Sequence, residues 1–169
     1  SVDPARDAGY TRELGQHLTS VYQRETVIMW TQLVAHILYR HFVRETPGRD
    51  LFTRQRIRGE VEMSRAHLTQ EIATARACLL ELENDGELRV DPALRCETPA
   101  GLLDAAVDAW SGYHASTVVL DLGETLRIED PNLLLFYQNR LLPWAEKLAN
   151  SDASLRAARE IAGLAGGLL

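Results

Sequence analysis

The segment that follows Glu129 constrains the fold of this chain more than any other. Asp130 can cap a helix and Pro131 can open it, because proline's fixed φ suits the first helical position and its missing N–H is not needed there. A wide apolar stripe follows at helical spacing, made of Leu133, Phe136, Tyr137, Leu141, Trp144 and Leu148. We expect the upstream helices to cover this stripe. Pro143 clashes with the preceding helical turn, which predicts a kink or break near Leu142.

The upstream sequence supplies the helices that this stripe needs. Apolar residues lie on nearly every face of the helix predicted over 27–42, which is typical of a central, buried helix. Residues 5–23 carry only a thin apolar stripe, which indicates a surface helix leaning on the body. Ser64 and Thr98 are suited to cap two further helices, the second opened by Pro99. We therefore predict helices over residues 5–23, 27–42, 51–62, 64–84, 99–110 and 131–142.

A small β-structure is predicted near the end of the chain. Residues 117–122 should pair with residues 125–129 across Gly123-Glu124, because glycine at the first loop position fits a type II′ turn. A lone hairpin is barely stable, so it needs residues 88–90 as a third strand or a helix beneath it. The prediction is a mainly α fold: one helical domain over residues 1–150 with a two- to three-stranded antiparallel sheet, its hairpin near 117–129. A C-terminal helix and frayed tail follow over 151–169.

Charge and composition restrict the classes of partner. The chain has 169 residues, enough for one domain, and a net charge of -6, which argues against a dedicated nucleic-acid binder. Lys147 is the single lysine among 18 basic residues. The only dense basic cluster spans Arg49 to Arg65. It can be interpreted as a site for phosphates or lipid headgroups, or as a solvated face, which the interspersed acidic residues favour.

Motifs for catalysis, cofactors and metals are absent from the sequence. It contains no G-x-S-x-G elbow, no phosphate-binding glycine loop and no H-E-x-x-H. Cys78 and Cys96 lack zinc-ligand spacing, and His36 and His41 lie five apart, so they do not share a helix face. We predict no catalytic, cofactor-binding or metal-binding residue. The start Ser1-Val2-Asp3-Pro4, without Met, leads us to expect a piece of a longer protein.

A winged-helix DNA-binding or regulatory module is the alternative interpretation. Two helices over 51–62 and 64–84, followed by a helix and a hairpin, have the order of that fold. A recognition helix should carry basic residues on its exposed face, however. The helix over 64–84 sets Arg65 and Arg76 against three glutamates, so we do not expect nucleic-acid binding.

Three segments carry a resemblance to a known family. Residues 135–141, Leu-Phe-Tyr-Gln-Asn-Arg-Leu, follow a short strand. Residues 22–26 and 31–35 read Tyr-Gln-Arg-Glu-Thr and Thr-Gln-Leu-Val-Ala, and residues 96–101 read Cys-Glu-Thr-Pro-Ala-Gly. Taken in their order along the chain, over roughly residues 14–148, they resemble the far C-terminal part of bacterial glycerol-3-phosphate acyltransferases. That family has an aromatic-Tyr-Arg-Asn signature, an Arg-x-Thr-Pro-Val-Thr-Pro segment followed by Leu-Val-Ala, and a Thr-Pro helix start.

The chain departs from the family pattern at two points. Both prolines of the first family segment are missing near Val27 and Trp30, and Gln138 stands where an arginine is usual. In that family the chemistry lies in an upstream domain with a His-x-x-x-x-Asp motif, whose histidine acts as a general base. No such motif occurs here, so no catalytic residue is carried over.

The resemblance implies a non-catalytic C-terminal domain of a glycerol-3-phosphate O-acyltransferase of phospholipid biosynthesis. Its expected partner is the upstream acyltransferase domain of the same protein, with the membrane surface as a further candidate. The expected location is the cytoplasm, at the periphery of the inner membrane in the full-length protein. The candidate interface residues lie in and after the family signature: Phe136, Tyr137, Asn139, Arg140 and Trp144.

Overall fold

A computed structural model of the chain describes the backbone of residues 4–151 and the side chains of residues 6–151. The helices in these residues are α1 Pro4–Glu25, α2 Trp30–Glu45, α3 Leu51–Arg54, α4 Arg65–Asn84, α5 Ala93–Cys96, α6 Pro99–Tyr113 and α7 Pro131–Gln138. The strands are β1 Val27–Ile28, β2 Glu62–Ser64, β3 Arg89–Val90, β4 Val119–Asp121 and β5 Thr125–Ile128. The prediction of a mainly helical fold with a small antiparallel sheet is confirmed.

Helix α2 is the centre of the core, as its apolar sequence predicts. It packs against α4, α6 and α7, and these helices cover it from three sides. Leu33, Val34, Ile37 and Leu38 are completely buried in these contacts. Burial of a leucine or isoleucine side chain contributes about 1.5–3 kcal/mol, so α2 contributes substantially to the stability of the fold.

The antiparallel sheet has the order β2-β5-β4. Hairpin β4–β5 closes through Gly123, whose φ of +87° is the backbone conformation that a type II′ turn requires at that position. Met63 lies opposite Leu126, and both side chains are buried. Residues 88–90 are not the third strand: β3 instead pairs in parallel with β1, at Val27↔Arg89 and Ile28↔Val90.

The predicted helix over 51–62 is wrong beyond its first turn. Only α3 forms there, and the Asp50 carboxylate accepts a hydrogen bond from the Thr53 N–H at 2.7 Å. Downstream, Ile57, Val61 and Met63 are buried, and their positions in the chain differ by four and by two. Such a two-residue period favours extended backbone over a helix, and it delivers β2 to the free edge of β5.

The helix caps are those that the sequence predicts. The Ser64 hydroxyl accepts from the N–H of His67 at 3.5 Å, and the Thr98 hydroxyl from the N–H of Gly101 at 3.0 Å. The Asp130 carboxylate accepts from the N–H groups of Asn132 and Leu133. These contacts satisfy backbone donors that a helix leaves without partners in its first turn.

The segment after Asp130 changes helix type before Pro143. Helix α7 ends at Gln138, and a 3₁₀-helix over Asn139–Trp144 contains the proline. A proline in an α-helix removes one hydrogen bond and crowds the carbonyl group four residues earlier. For Pro143 that carbonyl belongs to Asn139, and the tighter 3₁₀ winding starts at Asn139. A break was therefore predicted correctly, but it starts three residues before Leu142. Helical backbone resumes over 145–151, and the predicted C-terminal helix and tail beyond lie outside the described residues.

Candidate functional site

The residues of the family signature divide between the surface and the core. Phe136 is 70% exposed, and Asn139 and Arg140 are also exposed. Together with Gln32 at the start of α2, and with one side of Tyr137, they line an open groove of about 500 Å³. Phe136 therefore does not belong to the buried stripe that its helical spacing predicts.

A second groove continues the first one toward the N-terminal helix. It has a volume of about 270 Å³ and is lined by the end of α1, including Tyr22 and Gln23, by Thr26 directly after it, and by the 3₁₀-helix. Asn139 and Arg140 line both grooves. We call the groove-lining residues Tyr22, Gln32, Phe136, Asn139 and Arg140 the signature surface; Gln32 is half-buried and the other four are exposed.

The core beneath the signature surface holds it in place. Leu134 and Leu141 are completely buried, and Trp144 is only 5% exposed. Gln138 is also buried, and its Oε1 lies 3.3 Å from Nδ1 of the buried His36 on α2. This contact fixes α7 against α2 through a polar pair, which explains how a glutamine is accommodated inside an apolar interface. Trp144 thus supports the surface from below rather than forming its exposed part.

Tyr137 connects the signature surface to helix α6. Its hydroxyl lies 2.9 Å from Nε2 of His114, the residue that caps the C-terminus of α6. Its ring centroid is 5.8 Å from that of the buried Trp110 and 5.7 Å from that of Phe136. The Phe136 ring meets Tyr137 edge-on at 80°, a favourable aromatic geometry. The exposed phenyl ring is therefore anchored on one side and open on the other.

Arg140 is the charged group of the signature surface. Within residues 6–151 its guanidinium has no ion-pair or hydrogen-bond partner, although most arginines of the core region have one. A guanidinium fork binds carboxylate or phosphate in a bidentate manner. The neighbouring amides of Gln32 and Asn139 add polar groups to the same groove. The surface can therefore bind an acidic group beside an apolar one.

The basic cluster between Arg49 and Arg65 does not form a common binding patch. Arg54 donates to the carbonyl and hydroxyl of Thr46, and Arg58 lies 3.7 Å from Asp130. Arg65 bridges Asp104 on α6 and Asp121 on β4. These partners are distributed over different elements, so much of the cluster's charge is used inside the domain.

One charged cluster between α2 and α4 has no counterpart among the sequence predictions. The buried Glu71 carboxylate accepts two hydrogen bonds from Arg44, the shorter 2.8 Å, and lies 3.2 Å from Nε2 of His67. Burial raises the pKa of Glu71, but the bonds from Arg44 and the charge of Arg40 outweigh it and hold that pKa below its ordinary value. The cluster joins helices α2 and α4 through the ion pair of Arg44 with the buried Glu71. The spacing of residues along the sequence does not reveal a pair between two separate helices.

Metal clusters and membrane-crossing helices are both missing from residues 6–151. Across residues 6–151, no group of three or more His, Cys, Asp or Glu side chains is placed to hold a metal ion. In the same part of the chain, no helix combines the length and apolar character that crossing a bilayer requires. Comparison of the whole chain with protein-family models, with curated proteins and with solved structures produced no match.

Proposed function

We propose that this chain is the non-catalytic C-terminal domain of a glycerol-3-phosphate acyltransferase of phospholipid biosynthesis. Its role is to dock the acyltransferase domain of the same protein through the signature surface. In the full-length enzyme this assembly works in the cytoplasm at the periphery of the inner membrane. The chain contributes no reacting group, and acyl transfer is left to the docked domain with its His-x-x-x-x-Asp motif.

One observation carries the proposal: three stretches that resemble the family meet in space. Residues 22–26 and 31–35 are about a hundred residues away from residues 135–141 in the chain. Tyr22 of the first stretch nevertheless lines one groove and Gln32 of the second lines the other, and Asn139 and Arg140 of the third line both. Stretches that resemble the family thus meet at one surface groove. This supports an interaction at that groove that the family has in common, because packing of the core does not require surface residues of this kind.

The chemistry of the signature surface suits protein docking. Interfaces concentrate their binding energy in a few aromatic and arginine side chains surrounded by neutral contacts. Phe136 supplies an exposed aromatic ring that is already positioned by Tyr137. Arg140 supplies a guanidinium with no partner in residues 6–151. The complementary surface is expected to offer an apolar pocket for Phe136 beside an aspartate or glutamate for Arg140.

A binding measurement with a charge-reversed variant tests the proposal. The acyltransferase domain encoded in the same gene is immobilised, and binding of this chain is measured with wild type, with Arg140→Glu and with Arg49→Glu. Arg49 is an exposed arginine remote from the signature surface and serves as the matched control. We expect binding by wild type and Arg49→Glu and a loss of at least about tenfold for Arg140→Glu, about 1.4 kcal/mol.

Two outcomes would contradict the proposal. The first is equal binding by Arg140→Glu and wild type. The second is that the gene encodes no acyltransferase domain upstream of Ser1. Sedimentation with vesicles of phosphatidylethanolamine and phosphatidylglycerol supplies a further arm of the test. Vesicle binding that Phe136→Ala abolishes, without binding to the acyltransferase domain, would assign the signature surface to the membrane instead.

The alternative, a winged-helix DNA-binding or regulatory module, is favoured by the topology. Helix α2, strand β2, helices α4 and α6 and hairpin β4–β5 follow one another in the winged-helix order, and β2 lies beside β5. Helix α2 thus replaces the predicted helix over 51–62, and helix α6, rather than the predicted helix over 64–84, takes the position of the recognition helix. Its exposed face carries Asp104 and Asp108, and the adjacent hairpin carries Asp121 and Glu124. Arg65 pairs with two of these four carboxylates, Asp104 and Asp121. Acidic groups remain in excess at that position, so the charge opposes the DNA-binding form of this alternative.

A fluorescence titration with duplex DNA at low salt separates the two candidates. The docking proposal predicts no saturable binding by the isolated chain. Tight binding that weakens steeply with added salt would instead support the winged-helix module.

A further inference from the structure

Helix α3 holds an apolar pair of side chains in solvent. Phe52 is 76% exposed and Leu51 is 46% exposed, and no residue of α3 is buried. The pair lies outside both grooves of the signature surface. Single exposed apolar residues are common on protein surfaces, so the pair alone does not define a binding site.

Hydrogen bonds to the body of the domain fix the turn that carries this pair. The Arg54 guanidinium donates to the carbonyl oxygen and the hydroxyl of the buried Thr46 at 3.1–3.3 Å. The side-chain amide of Asn132 on α7 donates to the carbonyl oxygen of Gln55 at 3.4 Å. With the cap at the start of α3, these bonds anchor the turn on both sides, and Phe52 is held in solvent by a fixed backbone.

Arginines surround the exposed pair. Residues 47–58 contain four arginines and one acidic residue, whereas the whole chain has a net charge of -6. Arg56 follows Phe52 by four residues, and its backbone N–H bonds to the carbonyl oxygen of Thr53 at 3.1 Å, which continues the helical turn. Residues four apart are neighbours on a helical surface, so Arg56 and Phe52 lie on the same side of the turn.

Three of these four arginines have no ion pair with a carboxylate of residues 6–151. Arg49 and Arg56 are exposed and have no hydrogen-bond partner there either, and the acceptors of Arg54 are neutral groups. Arg58 is the exception, 3.7 Å from Asp130. The basic cluster as a whole is divided among different elements, but its first part stays together on this turn and keeps a positive charge.

An apolar tip beside arginines complements the surface of an anionic bilayer. Aromatic and aliphatic side chains enter the boundary between headgroups and acyl chains, and the negative surface potential of anionic lipids attracts basic residues next to them. A nucleic-acid backbone offers the same negative charge but no apolar layer for Phe52 and Leu51. The combination of charge and exposed apolar surface therefore favours lipid as the occupant.

We propose that the turn over residues 49–58 binds the surface of a bilayer that contains anionic lipid. Phe52 and Leu51 enter the outer part of the acyl layer, and Arg49 and Arg56 lie at the level of the lipid phosphates. The inference goes beyond docking of the acyltransferase domain and does not rest on it.

The proposed membrane contact and the signature surface lie at opposite ends of helix α2. Gln32 of the signature surface is in the first turn of α2, whereas residues 49–58 follow its end at Glu45. A helix of 16 residues is about 24 Å long. One domain can therefore contact a bilayer at one end while it binds the acyltransferase domain at the other.

Co-sedimentation of the full chain with vesicles tests the contact. The vesicles contain phosphatidylcholine alone or phosphatidylcholine mixed with phosphatidylglycerol. We expect binding to the mixed vesicles that weakens as salt is added, because salt screens exposed charges beyond a Debye length of about 8 Å. Arg56→Glu should weaken this binding about 25-fold, since each of the two units of charge it removes is worth about fivefold. Phe52→Ala should weaken it at least about tenfold.

Two matched variants control for loss of an exposed ring and for charge reversal. Tyr113→Ala removes a ring that is 86% exposed at the end of α6. Arg12→Glu reverses an exposed arginine of α1. Among the described residues, α1 meets the body at its C-terminal end, rather than along its length as its sequence predicts, so Arg12 is remote from α3. Both variants should bind vesicles like wild type, and circular dichroism checks that all four variants keep their helix content.

Fluorescence at the tip tests insertion. Cys96 is exposed and is first replaced by serine; Phe52→Cys and Tyr113→Cys are then prepared separately and labelled with a dye that reports the polarity of its surroundings. We expect the emission of the dye at position 52 to shift to the blue on mixed vesicles, and that at position 113 to stay unchanged. Equal emission of the first dye with and without bound vesicles would overturn insertion.

Further results would also overturn the proposal. These are an absence of vesicle binding, equal binding to both kinds of vesicle, and wild-type binding by Phe52→Ala. Loss of vesicle binding in Phe136→Ala but not in Phe52→Ala would assign the membrane contact to the signature surface. Binding of duplex DNA that Arg56→Glu abolishes, without vesicle binding, would assign the turn to nucleic acid. Binding to the acyltransferase domain is measured separately, so failure of the docking proposal leaves these results unaffected.

Discussion

Replacing Phe136 by alanine should weaken docking without weakening the fold. The ring is 70% exposed in the isolated domain, so about 140 Å² of its surface is available to a partner. At 25 cal/mol per Å² this area corresponds to at most about 3.5 kcal/mol. The cost of ordering the interface and the incomplete burial of the ring reduce this contribution to about 2 kcal/mol. Losing it in Phe136→Ala should raise the dissociation constant about 30-fold. The stability change of the isolated domain should stay within about 0.5 kcal/mol.

Two matched variants separate docking from folding. Phe52 is 76% exposed but lies on α3, so Phe52→Ala should change neither binding nor stability. Leu134 is completely buried on the same helix as Phe136, so Leu134→Ala should cost about 2–5 kcal/mol of stability. Calorimetric titration with the acyltransferase domain gives the binding constant, and urea unfolding of the chain alone gives the stability. The reasoning is refuted if Phe136→Ala unfolds as readily as Leu134→Ala, or binds as tightly as Phe52→Ala.

Three further substitutions test the local structure through urea unfolding. The pKa of Glu71 is lowered in the folded chain, so its pairing with Arg44 stabilises the fold above about pH 4.5, and this stabilisation is lost as the pH falls through the folded pKa. Glu71→Gln should therefore lower the urea midpoint at pH 7 and make the midpoint fall less steeply in acid. An unchanged dependence of the midpoint on acid pH would contradict this. Thr98→Ala removes the acceptor for a backbone N–H and should cost about 1 kcal/mol, whereas Thr98→Ser, which keeps the hydroxyl, should restore most of it. Gly123→Ala forces a side chain to a φ of +87° and should cost about 1–2 kcal/mol; a neutral effect would show that the turn adopts another geometry.

The helices were predictable because their boundaries depend on local chemistry. Ser64, Thr98 and Asp130 each mark a helix start with a side-chain acceptor, and such a contact needs only the next three residues. Gly86 ends α4 with a φ of +73°, the conformation expected from the Asn-Asp-Gly sequence at that point. The apolar sequence of α2 likewise indicates a central helix without knowledge of its neighbours.

Strand pairing was predicted poorly because it depends on distant residues. Strands β1 and β3 contain two residues each, too few for a recognisable alternation, and they pair only because α2 and α4 place their ends side by side. For β2, a two-residue period from Ile57 through Val61 to Met63 was available. The arginine-rich stretch around Arg54, Arg56 and Arg58 was interpreted as part of a helix over 51–62 instead.

The candidate site shows the same division between local and tertiary information. The exposure of Phe136 and the burial of Gln138 reverse what polarity and helical spacing predict. Gln138 is accepted in the core because His36 lies 3.3 Å away, from a helix a hundred residues earlier. Tyr22 and Gln32 could not be assigned to the signature surface from spacing, since the fold alone brings them beside Arg140.

Acylation of radiolabelled glycerol 3-phosphate shows whether this chain serves the acyltransferase domain. The acyltransferase domain is assayed alone, with this chain, and with the Arg140→Glu and Arg49→Glu variants; the chain is also assayed by itself. The docking proposal predicts that the chain alone is inactive, that wild type and Arg49→Glu raise the activity of the acyltransferase domain, and that Arg140→Glu does not. Acyl transfer by the chain alone, or an acyltransferase domain whose rate is the same in all mixtures, would contradict it.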